Sequence, residues 1–122
     1  MPTEPTPVML SQVVRRACEI VDPDDTDPIV GEFERIFEDA DEPVSALDDL
    51  ESRVGNVLQT LDPAVANGSL SMVGALVTYL AYRRDEVSAD DATLLRLATR
   101  AEWSGEPPEV ARDWLDARGV SY

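Results

Sequence analysis

The chain has 122 residues, enough for one ordinary domain with a real hydrophobic core and too few for two. Its 43% apolar content excludes a disordered acidic tail, even though 25 acids against ten basic residues leave a net charge of −15. All ten basic residues are Arg and His is absent, which removes the commonest general base, most zinc sites and every lysine-based phosphate clamp or Schiff base.

The charge far exceeds the ~2–8 units usual for a small domain. GC-rich coding would favour Arg over Lys but would not produce 25 acids. Adaptation to molar internal salt explains both, because a hydrated carboxylate surface stays soluble there. At ~1 M salt the Debye length falls to roughly 3 Å, and most self-repulsion is screened. The composition therefore points to a salt-accumulating host and a protein that needs high KCl for stability. An acidic mesophilic protein without Lys is the alternative. The single cysteine, Cys18, allows no intrachain disulfide and suits a reducing interior. The first residues lack the basic and apolar regions of a signal peptide, and the apolar block from Leu70 to Tyr82 is shorter than a membrane span. The expectation is a soluble, cytoplasmic protein with no membrane role.

Residues 1–7 carry three prolines and read as a frayed, flexible arm ahead of a single helical domain over 8–122. Leu10, Val13, Val14, Ala17, Cys18 and Val21 recur at helical spacing and predict a first helix over about 8–21. Asp27 followed by Pro28 is a strong start signal for a second, about 28–40, with Ile29, Val30, Phe33, Ile36, Phe37 and Ala40 inward. A third starts near Glu42-Pro43, carries the stripe Leu47, Leu50, Val54, Val57, Leu58 and Leu61, and stops at Asp62-Pro63. The fourth is apolar nearly all round, which marks a helix surrounded by neighbours. One side of it, Ser71, Gly74, Thr78 and Ala81, is small enough for another helix to approach closely. Ser88 with Asp91 resembles a capping box that opens a fifth helix over about 89–103, with Leu94, Leu97, Ala98 and Ala101 inward. Ser104-Gly-Glu-Pro-Pro breaks the chain. A last helix, about 107–118, uses Val110, Ala111, Trp114 and Leu115 and is closed by Gly119. No strand pattern and no internal repeat stand out. The predicted fold is all-α: a compact single-domain array of five to six helices packed around the central apolar helix, about 70–84.

Chemistry-bearing motifs are scarce. Cys18 lies on an apolar stripe with no His to activate it and reads as a small buried hydrophobe. The acids from Asp22 to Asp27 superficially resemble a calcium loop, but the sixth position, which should be Gly, is Asp27, and the twelfth, which should be Glu, is Phe33. A capped interhelical turn accounts for them better. Carboxylate pairs such as Asp48-Asp49 and Asp90-Asp91 arise from composition alone. No catalytic, cofactor-binding or metal-ligating set is assigned, and no enzyme activity is expected. One patch stands out: Tyr79, Tyr82, Arg83 and Arg84, where the buried helix emerges into charge, together with Trp103. Tyr, Trp and Arg are favoured in binding hot spots, so these five are the candidate interaction patch. The plainer reading is a helix end with two arginines near its negative pole. Trp114 falls on an inward stripe and reads as core, whereas Trp103 reads as partly exposed.

The expected function is a protein–protein interaction module or a subunit of a larger assembly, with a protein partner or self-association. The alternative is a helix-turn-helix-like nucleic-acid-binding or regulatory protein, carried by residues 92–120. There, Glu102 to Arg118 sets five acids against two arginines, which repels phosphates. A small carboxylate-dependent enzyme is the third possibility, supported only by the abundance of acids.

Overall fold

The computed structural model describes residues 8–44, 48–64, 66–83 and 90–122. The expected N-terminal arm, Leu47, Arg84 and the Ser88 cap lie outside these residues. The fold is all-α, with six helices among the described residues, in chain order: α1 (Leu10–Val21), α2 (Pro28–Ile36), α3 (Leu50–Leu61), α4 (Gly68–Tyr82), α5 (Asp91–Trp103) and α6 (Glu109–Arg118). α4 is central: it packs on all the others, most extensively on α5 and α1. Its Met72, Val73, Leu76, Val77 and Leu80 are fully buried among Leu10, Val13 and Ile20 of α1, Leu94 and Ala98 of α5, and Leu115 of α6. The one buried hydroxyl of α5, Thr99, donates to the Leu95 carbonyl at 2.7 Å, so its burial leaves no polar group unpaired.

α1 carries the expected stripe, and all six of its residues are buried, with Ile20 added. It starts at Leu10, where the Gln12 side chain accepts the Met9 N–H at 2.8 Å. α2 begins as expected on Asp27, whose carboxylate accepts the Ile29 N–H at 3.1 Å, with Pro28 at the first helical position. It stops at Ile36, four residues short of expectation. The Phe37 N–H turns back to the Glu34 carbonyl at 3.1 Å, and the Ala40 carbonyl is drawn away to accept the Ser11 N–H at 3.0 Å, at the start of α1. Ile36 is consequently 50% exposed and not on the inward face, while Phe33 and Phe37 are buried with ring centroids 5.1 Å apart.

The third helix also needs correction. Glu42, Pro43 and Val44 do not open it; they run beside the start of α1. The Glu42 carbonyl accepts the Leu10 N–H and the Val44 N–H donates to the Val8 carbonyl, both at 2.9 Å. α3 starts at Leu50. α4 starts at Gly68, two residues before the expected point, because the Asn67 side chain caps it by accepting the Leu70 N–H at 3.0 Å. α5 is capped by Asp90, which accepts the Thr93 N–H at 3.1 Å. Its buried face is Leu94, Leu95, Ala98 and Thr99, rotated from the expected one: Leu97 is half-buried and Ala101 exposed. Gly119 closes α6 with φ 75°, as expected.

The backbone also overturns the expectation of no internal repeat. α1 and α3 are both 12 residues long and start at Leu10 and Leu50; the helices that follow them start at Pro28 and Gly68. Both connections use one device. Asp22 and Asp62, each followed by Pro, end the first helix and turn their carboxylates onto two backbone N–H groups ahead. Asp22 accepts from Thr26 at 3.1 Å and Asp27 at 2.9 Å; Asp62 accepts from Ala66 at 3.0 Å and Asn67 at 2.9 Å. The second N–H of each pair belongs to the N-cap of the next helix, Asp27 or Asn67, and Ser69 Oγ joins the two caps, 2.8 Å from Asp27 and 2.5 Å from Asn67. The α5–α6 pair repeats the spacing but not the turn, using Ser104 (φ 54°) and Gly105 (φ 85°) in the left-handed region.

Candidate functional site

α3 and α4 run antiparallel. Leu58 fits against Gly74, where an added Cβ would lie 2.5 Å from Leu58 Cδ1, and Tyr82 at the far end places its hydroxyl 3.4 Å from Glu51 Oε1. The small-residue side of the central helix therefore receives α3, as its composition suggested. α5 lies on another side of α4 and ends in Trp103, and between the two walls a groove of about 920 Å³ remains open. Its floor is the strip of α4 from Leu70 through Ser71, Gly74 and Thr78 to Arg83; Glu51, Val54, Gly55 and Leu58 line the α3 wall, and Glu102, Trp103 and Pro108 the other.

Tyr79, Tyr82, Arg83 and Trp103 of the candidate patch all line this groove. Arg84 lies outside the described residues. Tyr82 is 71% exposed and, with Ile36, is the large apolar side chain most open to solvent among the described residues. Trp103 and Trp114 are both half-buried, so Trp114 is less enclosed than its stripe implied. It packs beneath Arg118, whose guanidinium carbon sits 5.0 Å from the ring centroid.

Two carboxylates complete the groove and had no signal in the sequence: Glu51 in the first turn of α3 and Glu102 in the last turn of α5. Glu102 is on the exposed rim, yet its carboxyl is pushed above the usual range. Burial against the wall is the larger cause, and the charge of Glu51 adds to it. Asp62, at the other end of α3, is engaged, since both its oxygens accept backbone N–H groups. A smaller depression of about 350 Å³ between α1 and α2 mixes Arg15 and Arg35 with Asp25, Glu34 and Glu38.

The Cys18 thiol is buried against the Val30 carbonyl (3.9 Å) and is pushed up to about 12, chiefly by burial and then by the charges of Glu34 and Asp22. A thiol so placed is not a nucleophile at neutral pH. Among the described residues no group of three or more His, Cys, Asp or Glu side chains is placed to hold a metal ion, and no helix is long and apolar enough to cross a membrane. Of the acids from Asp22 to Asp27, Asp22 closes the interhelical turn and Asp27 caps α2.

No protein-family model, curated protein or solved structure matches the chain.

Proposed function

We propose that the chain is a protein–protein interaction module of a salt-adapted cytoplasm, acting by binding and not by catalysis, and that its groove docks an amphipathic helix of a partner protein. The observation that carries this reading is the groove itself, a trough with two tyrosines, an arginine and a tryptophan around a floor that includes Leu70, Ser71, Gly74 and Thr78. Helix-in-groove docking uses this arrangement, with aromatic and Arg side chains as anchors. The floor spans Leu70 to Arg83, roughly 20 Å at 1.5 Å per residue, the length of a partner helix of about four turns. In dilute salt, where the repulsion is unscreened, the −15 on each copy opposes self-docking.

Two observations weigh against the nucleic-acid alternative. The Glu102–Arg118 segment is net acidic, and α5 and α6 each pack on α4 more than on each other, unlike the mutually packed pair of a helix-turn-helix unit. The test is photo-crosslinking in host lysate at molar KCl, with the crosslinker at Thr78 on the groove floor. Gly55, on the groove lining, supplies the control: a Cβ there meets nothing within 4 Å, so Gly55→Trp, checked for unchanged helicity, places an indole in the groove. Adducts are expected to map to one helical segment of one protein and to vanish in Gly55→Trp. Adducts scattered over many proteins, indifferent to that substitution, would overturn the proposal.

A further inference from the structure

We propose that the depression between α1 and α2 is a second binding site, which takes a small zwitterion, its carboxylate on Arg15 and Ser11 and its ammonium on Glu34 and Glu38. The repeated helix pair is what singles this place out. Adding 40 to the residue numbers carries the starts of α1 and α2, Leu10 and Pro28, onto those of α3 and α4, Leu50 and Gly68. The same shift carries Ser11, Arg15, Gly31, Glu34, Arg35 and Glu38, which line the depression, onto Glu51, Gly55, Ser71, Gly74, Ala75 and Thr78, and every one of these lines the groove. Asp25, which also lines the depression, falls on position 65, outside the described residues. The two hollows are therefore one trough in two copies of a helix pair. Between α3 and α4 it is built of small residues and walled by α5; between α1 and α2 it is charged, and among the described residues no third helix lines it.

The charges of the second trough do not neutralise one another. Among the described residues, the Arg15 guanidinium and the Asp25, Glu34 and Glu38 carboxylates take part in no ion pair, and Arg35 meets only Glu32, which does not line the trough. Arg15 stands on α1 and the half-buried Glu34 on α2, so opposite charges occupy the two walls without meeting. That arrangement narrows the ligand. A free anion would face three carboxylates, and a bare cation two arginines. A solute with both charges satisfies both walls. The guanidinium accommodates a carboxylate as a two-pronged pair, to which the Ser11 hydroxyl adds a donor. Glu34 and Glu38, one helical turn apart, suit the ammonium. The volume, about 350 Å³, equals roughly a dozen waters at ~30 Å³ each, room for an amino acid but not for a docked helix. The assignment is independent of what the groove binds.

The probes are glycine, β-alanine, γ-aminobutyrate and δ-aminovalerate, which hold carboxylate and ammonium progressively further apart. Each is titrated into the full chain in molar KCl, where only contact ion pairs survive screening, and binding is read from backbone amide shifts. One of the four is expected to bind with a Kd on the order of 1 mM, with the shifted amides confined to α1, α2 and the turn between them. Its methyl ester and its N-acetyl derivative, each lacking one charge, should bind at least about tenfold more weakly. Arg15→Gln and Glu34→Gln, each checked for unchanged amide dispersion, should weaken binding about tenfold. Arg100→Gln, which removes an exposed arginine elsewhere, should leave it within about twofold. If no probe moves the α1–α2 amides at about 50 mM, the proposal falls. It falls equally if the blocked derivatives bind as well as the zwitterion, an outcome read on the unaltered chain, or if Arg15→Gln and Arg100→Gln behave alike. None of these outcomes bears on helix docking, because the Thr78 amide on the groove floor should stay in place throughout.

Discussion

Arg118 reaches from the last turn of α6 to the carbonyl oxygens of Val21 at 2.9 Å and Ile20 at 2.5 Å, which end α1 without intrahelical donors. The same guanidinium stacks on Trp114 and adds to the field at Asp22. Replacing it should loosen both ends of the chain. Arg118→Ala is expected to cost about 1–3 kcal/mol in urea unfolding at fixed KCl, because two charge-assisted hydrogen bonds and a cation–π contact disappear together. Arg118→Lys should recover less than half of that, since one ammonium does not reproduce the fork. A loss below about 0.5 kcal/mol for Arg118→Ala would place the guanidinium in solvent. Asp22 lends itself to a pH test. Burial acts to raise its carboxyl, but the N–H groups of Asp27 and Thr26, the Thr26 hydroxyl and the charge of Arg118 outweigh it and hold the group below its ordinary value. A depressed folded-state pKa contributes stability above the unfolded value, 3.8, and that contribution is lost as pH falls through the folded one. Asp22→Asn should therefore unfold more easily than the unaltered protein at about pH 6–7, with the difference closing as the medium is acidified below ~3.8. A gap independent of pH would show that shape, not charge, matters at the turn.

Between elements, close approach is set by two glycines of α4. A Cβ at Gly68 would overlap the Val110 backbone oxygen and come within 2.9 Å of Trp114 Cβ, so α6 would have to move. At Gly74 the obstacle is only the end of the Leu58 side chain, which can change rotamer, and alanine gains helix propensity. Gly68→Ala is expected to cost more than about 2 kcal/mol and Gly74→Ala to stay within about 1 kcal/mol of neutral, compared by thermal unfolding at fixed KCl. Equal effects would mean that α6 gives way as easily as a side chain. The legibility of the sequence follows the same division between local and tertiary causes. The α1 stripe, the Asp27-Pro28 start and the Gly119 stop could be read because the signal lies within a few residues of its effect. The α5 face could not, because Thr99 looks polar until its hydroxyl finds the Leu95 carbonyl, which frees it for the core in place of Ala101. The start of α3 was obscured by Pro43, whose neighbours pair with α1 through backbone groups that carry no side-chain signature. The repeated turn escaped notice because Asn67 replaces Asp27 and Gly68 replaces Pro28, keeping the geometry while changing the letters. The groove floor and its aromatic rim were visible as small residues and a helix end. Its walls were not, since Glu51 and Glu102 are two acids among 25 until packing brings both to the lining of one groove.

At the scale of the whole molecule, charge is the dominant fact. Arg16 bridges Asp91 at 2.8 Å and Glu19 at 3.3 Å, Arg35 meets Glu32 at 3.1 Å and Arg53 meets Glu42 at 3.7 Å. Such surface pairs are worth little individually. Even if each of the ten arginines neutralised one acid, 15 carboxylates would remain uncompensated on a 13.4 kDa particle. Their mutual repulsion opposes the compact state, and raising the ionic strength from 0.1 to 1 M shrinks its range from roughly 10 to 3 Å. The melting temperature should therefore climb with KCl, by roughly 10 °C or more, equivalent to about 2 kcal/mol for a domain of this size. The shape of that climb separates two causes. Screening alone delivers most of its gain below ~0.5 M, so a further rise between about 1 and 3 M would mark a surface adapted to molar salt. Exchanging five exposed acids, Asp24, Glu38, Asp39, Glu106 and Asp116, for their amides should raise stability in dilute buffer and flatten the salt dependence. A melting temperature indifferent to KCl in both proteins would remove the case for salt adaptation and return the composition to coding bias. A steep dependence would also fix the conditions for any binding assay, because a groove formed by α3 and α5 on α4 exists only while both stay packed.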